Sequence, residues 1–358
     1  MKQISVGIIG FGMAGQVFHA PIIESVPAFV WTHVYTQNES NRSILATQYP
    51  YVQCLDQVEG LIQHPDIDLI VIATSNDVHA QLAKKALDAG KHVIVEKPFT
   101  ITTEEADQLI RLAEVKNLLL TVHHNARWNN DFLTIKKILR DDTLGKLITF
   151  EARYDRYRPD GKPNAWREKA LAGSGILYDL GAHLIDQALQ LFGWPQSVFA
   201  SLAIQRETAY ATDDFHVILQ YDVLKVILRG NMLTVESPFR YHISGTKGTF
   251  TKSGIDPQEE QLKHGVKPHL NAQWGVEPAS QQGKLLIRDP EGNQSVQSII
   301  SEPGNYPAFY MGVAEAINHL KAPPVTAAQA RDVIYLLELC EKSHQEQRVM
   351  KTQKATAY

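Results

Sequence analysis

Two short stretches hold the residue types from which proton-transfer chemistry is assembled: Glu96-Lys97-Pro98 and Gly173 to Asp186. Lys97 offers an ammonium that can hydrogen-bond an alcohol or ketone oxygen and stabilise developing negative charge. His183 offers an imidazole whose ordinary pKa, about 6.5, suits a general base near neutral pH. Asp179 precedes His183 by four residues, so on a helix starting near Gly175 they share one face, which Asp186 continues. The same spacing also describes an ordinary ion pair on a wet helix face, and Lys97 alone also reads as a surface lysine. One histidine with one carboxylate is too few for a metal site, and no second pair stands at ligand spacing, so no metal is expected.

A third stretch, Gly10-Phe11-Gly12-Met13-Ala14-Gly15, is a G-x-G-x-x-G between a predicted strand and a predicted helix. Gly10 permits the tight turn, Gly12 lets backbone approach a pyrophosphate, and Gly15 allows close helix–strand packing. The helix N-terminus adds unpaired N–H groups for the anion. All six residues are expected at a dinucleotide; the alternative is a glycine turn made only for packing. At the end of the second strand Thr36-Gln37-Asn38 supplies no carboxylate for a ribose 2′-hydroxyl, and Arg42 follows one helical turn later. Gln37, Asn38 and Arg42 are therefore expected to favour NADP, with NAD open because Glu39 lies close by.

The elements around these residues fall into two patterns. Apolar runs at Ile4–Ile9, Phe29–Tyr35, Ile67–Ala73, His92–Val95 and Leu118–Val122 alternate with helical stretches, from about Gly12 to Ser25, from Asp77 to Ala89 and from Thr102. That alternation predicts a parallel sheet covered by helices. Thr74, Ser75 and Asn76 end one such strand and open the next helix, so they are expected to face the cofactor, with Ser75 or Asn76 as a plain helix cap the alternative; His79, in the first turn, is read equally as a ligand contact or a structural hydrogen bond. Glu96 and Lys97 end the following strand, on the edge where open α/β sheets bind ligands, and Pro98 restricts Lys97 and is compatible with a cis bond. From Lys146 the period becomes two, with Ile148, Phe150, Ala152 and Tyr154 alternating with polar residues, and similar runs recur to Ile243. The second half is thus expected to be α+β with a mainly antiparallel sheet. The polar, proline-bearing stretch from Ser253 to Gln282 reads as a surface excursion. Thr102/Glu105 and Thr326/Gln329 each fit a capping box. The domains are expected at residues 1–124 and 125–358.

Composition bounds the answer. The chain has 358 residues, 44% of them hydrophobic and 21% charged, enough for two globular cores. A net charge of −4 without a basic block excludes a nucleic-acid footprint, so an anionic cofactor must be held by local donors. Two cysteines, Cys54 and Cys340, exclude a disulfide framework and suit a reducing cytoplasm. No apolar run reaches the ~18 residues of a membrane span, and the glycine-rich start makes a poor signal peptide.

Taken in order and spacing, Gly10–Gly15, Glu96-Lys97-Pro98 and the Gly173-Ser174-Gly175…Asp179…His183 segment resemble the glucose–fructose oxidoreductase / inositol dehydrogenase / rhizopine-catabolism (Gfo/Idh/MocA) family. The resemblance extends to Thr74-Ser75-Asn76…His79, Trp166-Arg167 and Pro324-Val325-Thr326. Gly10-Phe11-Gly12…Phe18-His19-Ala20-Pro21 is most similar to its NADP-dependent scyllo-inositol dehydrogenase-like branch. The resemblance implies an N-terminal Rossmann domain and a C-terminal α/β domain with a large open sheet, often an interface between copies. A homo-oligomer, dimer or tetramer, is therefore expected. Lys97, Asp179 and His183 fall on the family's catalytic positions, with Lys97 of the first domain meeting the other two, and Asn125 on the crossing that lines the cofactor and substrate cleft. Arg156 and Tyr157 are expected to contact substrate, and Trp166 to pack on a sugar ring or the nicotinamide; Arg153 reads as the wet face of a strand. The implied reaction is NAD(P)-linked oxidation or reduction of a cyclic polyol or sugar, the division of labour between His183 and Lys97 staying open. A glycosidase using tightly held NAD and a nucleotide-sensing binding protein are the other expectations of this fold.

Overall fold

The computed structural model describes residues 3–161, 165–319 and 321–354. The chain divides into two compact units. The first is Met1–Trp128 with Pro257–Gly275 and Asn305–Asp332, so the chain returns to it twice; the second is Asn129–Asp256 with Val276–Gly304 and Val333–Tyr358.

The first unit is built on six parallel strands, β1 (Ile4–Ile9), β2 (Phe29–Tyr35), β3 (Gln53–Leu55), β4 (Leu69–Ile72), β5 (His92–Val95) and β6 (Leu120–Val122). Their order is β3-β2-β1-β4-β5-β6, so chain order reverses between β1 and β4. Ile8, Ile70, Val71, Val93 and Ile94 are fully buried, as strands covered on both faces require. The helix Thr103–Lys116 opens on the Thr102/Glu105 capping box and closes on Asn117 in the left-handed region at φ 53°. Thr326 and Gln329 likewise exchange bonds at 3.1 and 3.2 Å ahead of the helix Ala327–Glu346.

The second unit is a nine-stranded sheet. Its strands are β7 (Leu147–Asp155), β8 (Ser197–Ala203), β9 (Asp214–Gln220), β10 (Lys225–Asn231), β11 (Tyr241–Gly245), β12 (Gly248–Lys252), β13 (Gly283–Arg288), β14 (Gln294–Ile299) and β15 (Met350–Lys351). They run β14-β13-β12-β11-β7-β10-β9-β8-β15, antiparallel except for the parallel pair β7/β10. Phe150, Val198, Phe215, Val217, Val226, Leu228 and Ile243 form its buried face.

Two helices differ from the continuous α-helices expected. Ala14–His19 is π-helical before the α-turns Ala20–Ser25, the Ala20 N–H reaching back five residues to the Gly15 carbonyl. Pro21 lacks an N–H, so the regular ladder breaks there. Leu177–Gly181 is also π-helical, with Ala182 N–H on the Leu177 carbonyl, before the α-helix Ala182–Phe192. Asp179 and His183 thus straddle a widened turn instead of sharing a regular α-face. Among the described residues no helix is long and apolar enough to cross a membrane.

Candidate functional site

All six strands of the first sheet being parallel, their carboxyl ends share one edge. Gly10, Thr36, Thr74, Lys97 and Asn125 follow β1, β2, β4, β5 and β6 there. The reversal between β1 and β4 opens the crevice in which such sheets bind ligands. Gly10 has φ +94°, and a Cβ on it would lie 2.5 Å from the Ala73 carbonyl oxygen. At Gly15 a Cβ would come within 2.6 Å of the Gly10 carbonyl oxygen, whereas at Gly12 it would meet nothing within 4 Å. Two glycines are therefore demanded by protein packing, and the middle one borders open space. That division is what a turn made to receive a pyrophosphate requires. Phe11 is a core residue, its ring stacked on Trp31 at 5.6 Å, so only its backbone is available to a ligand; Met13 is exposed.

On the other side of β1 the helix Glu39–Gln48 starts beside β2. Asn38 spends its side chain as the cap, accepting from Asn41 N–H at 3.1 Å, and Gln37 is exposed. Arg42 Nε donates to the Thr36 carbonyl at 3.0 Å and Nη1 to Asp56 Oδ1 at 2.9 Å. The guanidinium is thus tethered at the strand end with an exposed acidic partner, and Asp56 is a neighbour that sequence reasoning did not find.

Thr74 and Ser75 are half-buried and Asn76 is buried. His79, fully enclosed, faces the Pro98 carbonyl at 2.9 Å through Nδ1 and the Thr74 carbonyl at 3.3 Å through Nε2. It ties the ends of β4 and β5 together, and burial pushes its pKa down. Lys97 is half-buried and is followed by a cis peptide bond to Pro98. Glu96, expected at the cofactor, turns both carboxylate oxygens onto protein donors: His19 and His123 on Oε1 at 2.8 and 2.7 Å, and Lys97 N–H on Oε2 at 3.0 Å. Asn125 is half-buried and opens a 3-10 turn, Asn125–Trp128.

In the second unit Asp179 is 6% exposed and accepts from Arg167 Nη1 at 3.1 Å. His183 is half-buried, its ring 6.1 Å from that of Tyr154. The segment enters through Gly175 at φ +79°, where a Cβ would lie 2.8 Å from the Thr212 carbonyl oxygen, so a larger residue would displace the strand entry. Arg167 stands on a short 3-10 turn, Trp166–Glu168; the side chain of Trp166 lies outside the described residues. That turn is anchored by buried Arg206, which donates to Glu168 at 2.8 Å and Asp213 at 2.9 Å. No helical or strand periodicity announces Arg206 or the pairing of Arg167 with Asp179, because each joins side chains across irregular loop segments. Arg156 is half-buried with its backbone N–H on the Asn231 carbonyl, and Tyr157 is exposed. Arg153 pairs with Glu151 at 2.6 Å and lies over Phe239, as a strand's wet face would.

Comparison with known proteins agrees with both halves of this picture. Residues 4–124 match the family described as oxidoreductase family, NAD-binding Rossmann fold, and residues 136–352 the one described as oxidoreductase family, C-terminal alpha/beta domain. The chain is similar to scyllo-inositol 2-dehydrogenase (NADP(+)) IolW of Bacillus subtilis, 38% identical over 98% of this chain and 96% of that one. It is 43% identical to the uncharacterized oxidoreductase YdgJ of Escherichia coli, over 94% of this chain and 95% of that one. Among solved structures, the Bacillus subtilis protein yvaA superimposes with a TM-score of 0.94 at 37% identity, covering 98% of this chain and 99% of that one. The chain belongs to the Gfo/Idh/MocA family of NAD(P)-binding oxidoreductases.

Proposed function

We propose that this protein is an NADP-preferring dehydrogenase or reductase acting on a secondary alcohol or ketone of a cyclic polyol or sugar. The observation that carries the reading is the place of Lys97. It stands two residues past the end of β5, two strands along the same carboxyl edge from the Gly10–Gly15 turn after β1. At ordinary strand spacing that step is about 10 Å. Arg42 stands on the opposite side of β1, at the end of β2. A dinucleotide whose pyrophosphate sits on the glycine turn extends toward both. The name of the Bacillus subtilis relative, which specifies NADP and scyllo-inositol, supports the same reading.

When bound, nicotinamide supplies hydride exchange at a carbinol carbon. Lys97 Nζ donates to the oxygen on that carbon and stabilises its alkoxide charge. His183 takes the hydroxyl proton in oxidation and returns it in reduction. Asp179, held by Arg167, orients the imidazole or grips a neighbouring hydroxyl.

A panel of inositols, keto-inositols and sugars, with NADP and with NAD, tests the reading through absorbance of the reduced nicotinamide. On the substrate turned over fastest, Lys97→Met and His183→Ala should each lower kcat on the order of a hundredfold or more. Cofactor Kd should stay near wild type. Wild-type turnover by both variants would reject the residue assignment. Glycoside cleavage with retained cofactor and no net change in its oxidation state would reject the reaction.

A further inference from the structure

Glu96 sits at the centre of a buried polar cluster within the first unit. His19, from the π-helix after the glycine turn, donates Nε2–H to Glu96 Oε1 at 2.8 Å, and its Nδ1 receives the Tyr310 hydroxyl at 2.6 Å. His123, just after β6, meets the same Oε1 through Nδ1 at 2.7 Å. The second oxygen accepts the backbone N–H of Lys97 at 3.0 Å. His19 and Tyr310 are 0% exposed, His123 2% and Glu96 7%. A carboxylate so enclosed is costly unless donors surround it. Burial alone would raise the Glu96 pKa, but His123 and His19 outweigh it and hold the carboxyl well below the usual range. Burial, then the neighbouring His123, pushes the His19 imidazole down, so its neutral form fits a donor at Nε2 and an acceptor at Nδ1.

These three side chains could also be read as a metal triad, since their ligand atoms lie within 4.8 Å of one another. The spacing argues for protons. Bonds of 2.0–2.1 Å at tetrahedral angles separate ligand atoms by about 3.3 Å, whereas both nitrogens here stand at hydrogen-bond distance, 2.7 and 2.8 Å, from one oxygen.

We propose that His19 and His123 are positioning residues for Lys97: they aim the Glu96 carboxylate at the Lys97 backbone N–H and so fix the root of that side chain. The inference rests on the reading that Lys97 acts on the substrate. It assigns Glu96 to the lysine and not to a ligand. It also gives a reason for a carboxylate, two imidazoles and a phenol to be buried together beside one turn.

His123→Leu removes one donor, and His123→Asn restores an N–H near the Nδ1 position. The leucine variant should lose on the order of tenfold or more in kcat, with NADP Kd within about threefold. The asparagine variant should recover most of the loss. Glu96 is faced by His19, His123, Tyr310 and, from the helix His79–Asp88, His79. With one donor gone, Glu96 takes up its proton at higher pH, so the acid limb of kcat should move upward. A readout independent of substrate is acylation of Lys97 by an N-hydroxysuccinimide ester, followed by peptide mass spectrometry against Lys84 and Lys116. The Lys97 rate should rise about threefold or more as its segment loosens.

Lys97→Met separates the two ideas. If it turns over like wild type, the reading of Lys97 fails. If it is inactive while His123→Leu keeps wild-type kcat, acid limb and labelling rate, the positioning inference fails. Should His123→Leu not fold, Tyr310→Phe, which removes one hydroxyl, must show the same signature at smaller size, and a wild-type profile there overturns the inference.

Discussion

The proposed preference for NADP rests on single side chains at the end of β2. Thr36 is buried, Gln37 points to solvent and Asn38 is spent capping a helix, so none of these three residues offers a carboxylate to a ribose hydroxyl. Arg42 is already oriented by the Thr36 carbonyl, and its other partner, Asp56, has a side chain 86% exposed. An exposed pair of this kind is easily exchanged for a better anion. A 2′-phosphate dianion offers the guanidinium several charge-assisted bonds in its place. Arg42→Ala should therefore weaken NADP about tenfold or more while NAD changes less than about twofold. Asp56→Asn, which removes the competitor, should tighten NADP. Fluorescence titration of both cofactors decides, and equal losses for the two in Arg42→Ala would remove Arg42 from the site. The place of Arg42 beside the end of β2 was legible in the sequence because the glycine turn tells where to look, one strand and one helical turn away. Asp56 was not: it follows β3, a strand of three residues, too short to announce itself by periodicity.

At the scale of elements, the face of a strand is easier to foresee than the pitch of a helix. Period-two alternation foretold most of the second sheet, because one face is packed and the other wet. It missed the four strands beyond Ile243, β12 to β15, of which β14 has its first five residues all exposed, and the helix Gln258–Lys263, held by a buried glutamine. Gln258 bonds the Trp128 carbonyl and the Tyr306 N–H, a role that hydrophobic patterning cannot register. The two π-segments, at Ala14–His19 and Leu177–Gly181, were not readable either: apolar spacing does not mark the one extra residue of a widened turn, even where Pro21 breaks the ladder after the first. The sheet carries a prediction of its own. Phe199, Ile218 and Ile227 stand in register across β8, β9 and β10, half-exposed, on the face opposite Val198, Val217 and Val226. We propose that a second copy of the chain covers this stripe. Ile218→Asp places a charge in the middle of it and should shift the protein to a smaller species in light scattering, with its melting temperature little changed. A wild-type protein that is already monomeric, or a variant of unchanged mass, would refute the proposal.

The molecule as a whole couples its stability to pH mainly through the first unit. Burial pushes the pKa of His19, His33, His79 and His92 down, and all four belong to that unit. The second unit adds His216, lowered by burial and then by Arg229. The sign follows from counting protons. Above about pH 6.5, the ordinary histidine value, folded and unfolded chains both hold these rings neutral, and stability does not depend on them. Below it the unfolded chain binds protons that the folded rings refuse, so stability falls as pH drops toward the folded values. Glu96 acts in the same direction further down. Its folded pKa is depressed, so its contribution is complete above the unfolded glutamate value of about 4.3 and disappears as pH falls through the folded one. Thermal melts should therefore be flat from about pH 8 to 7 and fall between about pH 6.5 and 5, before most carboxylates titrate. Saturating NADP, which binds the folded form, should raise the melting temperature across the range. A melting temperature that held steady or rose from pH 7 to 5 would mean that the histidine rings of the first unit accept protons in place. In that case the neutral His19 on which the Tyr310–His19–Glu96 chain depends would have to be abandoned.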